Sequence, residues 1–261
     1  MSIELSAHLS MLFTEHPFLE RASAARAAGF RHVESWWPRG DEVDAWPDCL
    51  RESGVRLALV NAYAGAIQKG DRGFLNEAGR RGDAVDAVRA AVGLVKRADG
   101  SLINVLVGRQ RDAARRPSDL RRATEVLAEC AELAGAKGVT LLVESLNEAD
   151  VPGYLVPTPD AAAEMICAID SPWVRMLYDA YNVAMGGEDP IAAFSSYATI
   201  VGHVQYADAP GRGAPGTGRI DLVQLLRRLS ACGYSGAVGL EFHPRGPTVA
   251  SLEPIRPALR G

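Results

Sequence analysis

Four polar residues, Glu144, Asp179, Gln205 and Glu241, each close an apolar run in the second half of the chain. The run before Glu144, residues 138–143, carries few polar side chains and reads as a strand buried on both faces. An unpaired buried carboxylate is costly, so such a group pairs, takes up a proton or binds a metal. Three carboxylates and one amide oxygen brought together form a hard, oxygen-only donor set suited to Mg²⁺ or Mn²⁺. Zinc, which favours nitrogen and sulfur, fits it less well. A lone acid at a strand end is more often a helix cap or an ion-pair partner, but four on successive strands favour a shared metal site.

Those four ends meet only if their strands lie parallel around a common axis, and the chain predicts this. Strands are expected at 3–9, 30–35, 56–61, 103–107, 138–144, 174–179, 200–205 and 237–241. Helices are expected between them at 17–28, 42–53, from about 82 to 97, 120–136, 158–169, 190–197 and 221–232. Gly29, Gly54 and Gly233 stop three of them, while Pro117-Ser118-Asp119 and Thr158-Pro159-Asp160 supply start signals. Eight strand–helix units predict a single α/β domain over residues 1–261, a closed (β/α)₈ TIM barrel rather than an open doubly wound sheet. Pro244, Pro247, Pro254 and Pro257 leave room for only a short last helix. No dinucleotide fingerprint follows the first strand, and no phosphate loop of the G-x-x-x-x-G-K-[ST] type occurs.

In such a barrel the active site lies at the C-terminal ends of the strands, where Glu144, Asp179, Gln205 and Glu241 converge. Glu34 and Asn61 end earlier strands at the same mouth, as substrate contacts, supports for other site residues, or loop hydrogen-bonding groups. His203 shares parity with Gln205, although a core histidine with satisfied hydrogen bonds is the commoner role for such a residue. Trp36 and Trp37 place two large aromatics beside the mouth, where they would narrow the pocket, stack on a bulkier substrate or cover the rim.

The 261 residues are 48% hydrophobic and 23% charged, with a formal net charge of −4, so no broad basic field exists to recruit nucleic acid. Cys49, Cys130, Cys167 and Cys232 lie too far apart to suggest a zinc cluster or a disulfide framework, and read as buried thiols in a reducing cytoplasm. The first residues lack the pattern of an export signal, and no apolar run approaches the roughly 20 residues that span a bilayer. A soluble cytoplasmic protein acting on a small molecule is expected, with no nucleic-acid or membrane partner and with homo-oligomerisation left open.

Taken together with Leu9-Ser10-Met11-Leu12-Phe13, Gly70-Asp71-Arg72-Gly73, Glu144-Ser145-Leu146-Asn147, Tyr178-Asp179-Ala180-Tyr181, Gly202-His203-Val204-Gln205 and Pro215-Gly216-Thr217-Gly218, the chain resembles the hydroxypyruvate isomerase family of the xylose isomerase-like barrels. The resemblance implies a divalent metal, Mg²⁺ or Mn²⁺, held by Glu144, Asp179, Gln205 and Glu241, with Glu144 and Glu241 also serving as the acid/base pair. It implies an aldose–ketose interconversion, in the simplest case hydroxypyruvate with tartronate semialdehyde. That reaction moves a proton between adjacent carbons through an enediolate, which a metal stabilises while carboxylates carry the proton. Arg72 and Arg212 are the cations assigned to the substrate carboxylate.

Two mouth histidines of the family pattern are replaced by Asn104 and Asn182, and a first-strand asparagine is replaced by His8. Asparagine still donates and accepts hydrogen bonds but does not change charge near neutral pH. These three positions are taken as substrate contacts, together with Glu34. Their departure from the pattern keeps three alternatives in view: a different substrate, a different reaction on the same barrel (epimerisation, dehydration or a lyase step), or a ligand-binding barrel without catalysis.

Overall fold

Eight short runs of buried residues form the strands of the computed structural model, which describes residues 3–110 and 112–259. They are β1 Leu5–His8, β2 His32–Ser35, β3 Arg56–Asn61, β4 Leu102–Asn104, β5 Thr140–Glu144, β6 Val174–Asp179, β7 Val201–Tyr206 and β8 Val238–Leu240. All pair in parallel, each with its sequence neighbour, and β1 with β8 closes the ring. The (β/α)₈ barrel expected from the alternation is therefore the fold.

Side chains on a strand alternate between faces, and in a barrel the two faces are the helix layer and the interior. Outward residues such as Val33, Val143, Met176 and Val204 join the large core shared with the helices. Inside, Leu59, Leu142 and Leu177 form a separate apolar cluster. Two residues further along the same strands come Asn61, Glu144 and Asp179, so an apolar plug in the interior supports a polar layer at the mouth. The strand pairing brings Asp179 level with Gln205 and His8 level with Glu34.

The outer layer contains α1 Arg21–Ala27, α2 Glu42–Ser53, α3 Arg81–Arg97, α4 Arg116–Gly135, α5 Pro159–Ile169, α6 Ala180–Met185, α7 Pro190–Tyr197, α8 Leu222–Ala231 and α9 Thr248–Ser251. Helix α2 ends at Gly54, whose φ of 68° lies in the left-handed region that glycine adopts without a Cβ penalty. Thr158 caps α5 by accepting from the Ala161 amide at 3.2 Å, with Pro159 in the first turn, as its sequence predicts. The prolines near the C-terminus leave α9 one turn long, followed by a 3₁₀ segment at Glu253–Leu259.

Three expectations need correction. Helix α4 begins before the anticipated start, so Asp119 is not its cap; it lies in the first turn and pairs with Arg122 at 3.2 Å. A further helix, α6, follows β6 without a break, because Asp179 at the strand end also caps the helix, accepting from the Tyr181 amide at 2.9 Å. Of the cysteines only Cys130 is buried; Cys167 is exposed, while Cys49 and Cys232 are half-buried. No helix among the described residues is long and apolar enough to cross a membrane.

Candidate active site

At the mouth the strand ends bring Glu144, Asp179 and Glu241 together, each offering a carboxylate oxygen within 4.8 Å of the others. All three are buried, at 4%, 2% and 5% exposure, a placement that requires compensation by cations, protons or donors. Arg212, on the loop after β7, donates through Nη2 to Asp179 Oδ2 at 3.0 Å and to Glu241 Oε2. Its guanidinium also lies 4.9 Å from the centre of the Tyr181 ring. One arginine thus spans two of the three carboxylates.

The third carboxylate is held by amides. Asn104 Nδ2 donates to Glu144 Oε2 at 2.7 Å, and Asn182 Nδ2 reaches Asp179 Oδ2 at 2.6 Å and Glu144 Oε1 at 3.3 Å. Asn182 is itself oriented by Asn147, whose Nδ2 donates to its Oδ1 at 2.7 Å. The two asparagines expected as substrate contacts therefore touch the acids directly. Burial, together with the charges of Glu241 and Asp179, raises the Glu144 pKa well above the ordinary range. Burial likewise pushes Asp179 up to about 6 against the pull of Arg212. For Glu241 burial is outweighed by Arg212, His8 and Trp36, and its pKa is lowered.

Gln205 stands beside this cluster in a telling orientation. Its Nε2 donates to Glu34 Oε1 at 2.7 Å, and His203 Nε2 lies 2.8 Å from Glu34 Oε2. The Gln205 side-chain oxygen is buried, and among the described residues it has no hydrogen-bond partner. An oriented, buried and unsatisfied carbonyl oxygen next to three carboxylates fits a fourth donor to a hard cation. Glu34, fully buried, is engaged on both oxygens and has no open face to the mouth. Its place depends on Gly239 in β8, where a Cβ would collide with the Glu34 carboxylate. Gly239→Ala is therefore expected to destabilise the fold by about 1–3 kcal/mol, as overpacked cores do. Chemical denaturation measures this, and an unchanged midpoint would contradict the packing.

His8 Nε2 lies 3.2 Å from Glu241 Oε1, so the residue sits against an acid of the cluster. Arg72 is placed differently. It donates to the carbonyls of Ile67 at 3.1 Å and Asp71 at 2.7 Å within its own loop, beside a cavity of about 400 Å³ that Lys69 and Arg109 also line. Burial and Arg109 lower its pKa. The structure thus gathers Glu144, Asp179, Gln205, Glu241, Asn104, Asn182, His8, Glu34 and Arg212 around one centre, and places Arg72 in this neighbouring loop.

The family model of the xylose isomerase-like TIM barrel matches residues 22–259. The chain belongs to the xylose isomerase-like TIM-barrel family. Among full-length relatives in this family, one from Streptomyces coelicolor is 38% identical over 92% of this chain and 90% of its own. The hydroxypyruvate isomerase of Escherichia coli is 32% identical over 98% and 99% of the two chains. The 2-oxo-tetronate isomerase of Cupriavidus necator is 31% identical over 97% and 98%. A crystal structure from Brucella melitensis, described as an AP endonuclease of family 2, superposes with a TM-score of 0.93 at 29% identity and covers 98% of both chains.

Within this xylose isomerase-like barrel, two residues escape a reading by motif alone. Asp208 accepts four backbone amides, from Ala209 and Ile220 at Oδ1 and from Gly216 and Gly218 at Oδ2, at 2.7–3.1 Å. It winds the loop that presents Arg212, and the glycines around it in the sequence are its trace. Trp36 is the other: its indole Nε1 donates to Glu241 Oε1 at 2.8 Å.

Proposed function

We propose that this chain is a metal-dependent aldose–ketose isomerase of a small hydroxy-oxo acid, of the hydroxypyruvate–tartronate semialdehyde type. The observation that carries the reading is the convergence of Glu144, Asp179 and Glu241 beside the unsatisfied oxygen of Gln205. Glu144, Asp179, Gln205 and Glu241 would hold Mg²⁺ or Mn²⁺. When bound, the cation supplies electrostatic stabilisation of the negative charge that builds as a carbon-bound proton leaves. Full-length similarity to isomerases of three- and four-carbon oxo acids, by the names of those relatives, supports the substrate class.

Glu144 and Glu241 act as the acid/base pair, because they are the two glutamates of the cluster and each is oriented by fixed donors. Asn104 and Asn182 keep the Glu144 carboxylate turned toward the centre. Arg212, the cation in contact with Asp179 and Glu241, would pair with the substrate carboxylate. Arg72 is a second anion-binding cation at the loop beside the mouth.

The test is turnover of hydroxypyruvate and of four-carbon hydroxy-oxo acids with each metal, run in deuterated water. Isomerisation is expected to exchange the carbonyl with the adjacent hydroxyl-bearing carbon, giving the aldehyde isomer from hydroxypyruvate and a 3-oxo isomer from a four-carbon 2-oxo acid, with deuterium incorporated next to the new carbonyl. Failure to convert any of these acids with either metal overturns the reading. Deuterium incorporation with a different product would instead identify an epimerase, dehydratase or lyase, a rival kept in view by Asn104 and Asn182 standing where the family pattern has histidines.

A further inference from the structure

Trp36 is one of four large hydrophobic residues that are exposed among those described, at 39%. An exposed indole at a barrel rim serves as cover whichever way its N–H points. Here the N–H points inward, onto a buried carboxylate. Nε1 donates to Glu241 Oε1 at 2.8 Å, and a hydrogen bond to a charged acceptor is among the stronger kinds.

The ring is held in that pose from two other sides. The Trp36 backbone amide donates to Ser10 Oγ at 3.0 Å, and Ser10 Oγ is hydrogen-bonded to Ser35 Oγ at 2.8 Å. The loop bearing Trp36 is thereby tied to the turn after β1. The His8 ring meets the indole edge-to-face, with centroids 5.6 Å apart and planes at 66°. His8 also approaches the same oxygen, Glu241 Oε1, from within the barrel at 3.2 Å. Glu241 thus has one oxygen flanked by Trp36 and His8, while the other, Oε2, accepts from Arg212 Nη2, the same nitrogen that donates to Asp179 Oδ2 of the cluster.

We propose that Trp36 is a positioning residue for Glu241: its indole N–H fixes Oε1, so that Oε2 is the oxygen that works at the reaction centre. This rests on Glu241 serving in the acid/base pair. A carboxylate free to rotate about its terminal torsion presents its oxygens in alternation, and pinning one of them removes that freedom before substrate arrives.

Two measurements test this, one of them independent of turnover. In a ¹H–¹⁵N spectrum, which resolves the indole N–H signals of the four tryptophans, Trp36→Phe identifies the Trp36 signal by its loss. That signal is expected well downfield in the wild type and displaced upfield in Glu241→Gln, with the other three unmoved. In steady-state kinetics Trp36→Phe is expected to lower kcat by about 10-fold to 100-fold with KM changed less than about threefold, the scale of one hydrogen bond to a charged group. Trp36→His, which restores an N–H donor, is expected to recover part of that loss. An indole signal indifferent to Glu241→Gln overturns the proposal, and so does a Trp36→Phe enzyme with wild-type kcat or with a raised KM alone. A wild-type protein inert toward every acid tested, but showing the coupled indole signal, would sink the isomerase reading and leave the Trp36–Glu241 contact standing.

Discussion

Glu144→Gln and Glu241→Gln are each expected to lower kcat by about 10³-fold or more while leaving the barrel folded. General acid/base groups contribute roughly 10²–10⁴-fold, and glutamine keeps the shape of the side chain while losing its capacity to carry a proton. The two variants should differ in stability. Glu144 is a buried acid whose charge is opposed by Glu241 and Asp179, so neutralising it removes repulsion and is expected to hold or raise the melting temperature. Glu241 is an anion shared by Arg212, Trp36 and His8, so Glu241→Gln weakens three contacts and is expected to lower it. The double variant should be little worse than the more damaged single one, because residues acting as a unit are not additive. Single-turnover assays and thermal melts give both readings together. A double variant with full activity would remove these glutamates from the chemistry.

The barrel was legible because its signals are local. Strands buried on both faces announce themselves as apolar runs, and Gly54 and Thr158 mark helix boundaries by conformations or hydrogen bonds made within a few residues. Helix α6 escaped because Asp179 does two jobs at once, ending β6 and capping the helix, so no loop signal separates them. The acids were legible as strand ends, but their supports were not. That Asn104 and Asn182 donate to Glu144 and Asp179 depends on how three strands, β4, β5 and β6, close around one axis and on α6 starting directly from β6. Glu34 ended a strand like the others, yet the gap at Gly239 draws its carboxylate inward, toward Gln205 and His203. The Trp36 contact joins residues 205 positions apart, a separation that periodicity does not report. Arg72 illustrates the converse: a motif arginine whose Nη1 donates to two carbonyls of its own loop, a local tie that the motif does not report.

A divalent cation is expected to stabilise the protein more at pH 8 than at pH 5, and chelation at either pH is expected to abolish turnover. The sign follows from the acids. Asp179 is raised from 3.8 to about 6 and Glu144 well above its ordinary value, so both bind protons more tightly in the folded protein than in the unfolded chain. Their contribution to stability is full below the unfolded values near 4 and is lost as pH rises through the folded ones. Glu241, lowered, runs the other way: its contribution is present above 4.5 and lost on acidification. With two raised acids against one lowered, the metal-free protein should lose stability through this cluster as pH rises from near 4 through about 6, the folded value of Asp179. A cation binds the ionised forms and so competes with those protons, and its affinity must rise over the same interval. At 100 times its dissociation constant a ligand adds about 2.7 kcal/mol, or roughly 5–10 °C in melting temperature for a chain of this size. Melts with and without millimolar Mn²⁺ at the two pH values measure the difference. Equal shifts at both would contradict binding at Glu144, Asp179 and Glu241, the one group of three or more acids, histidines or cysteines among the described residues with the spacing for a metal ion.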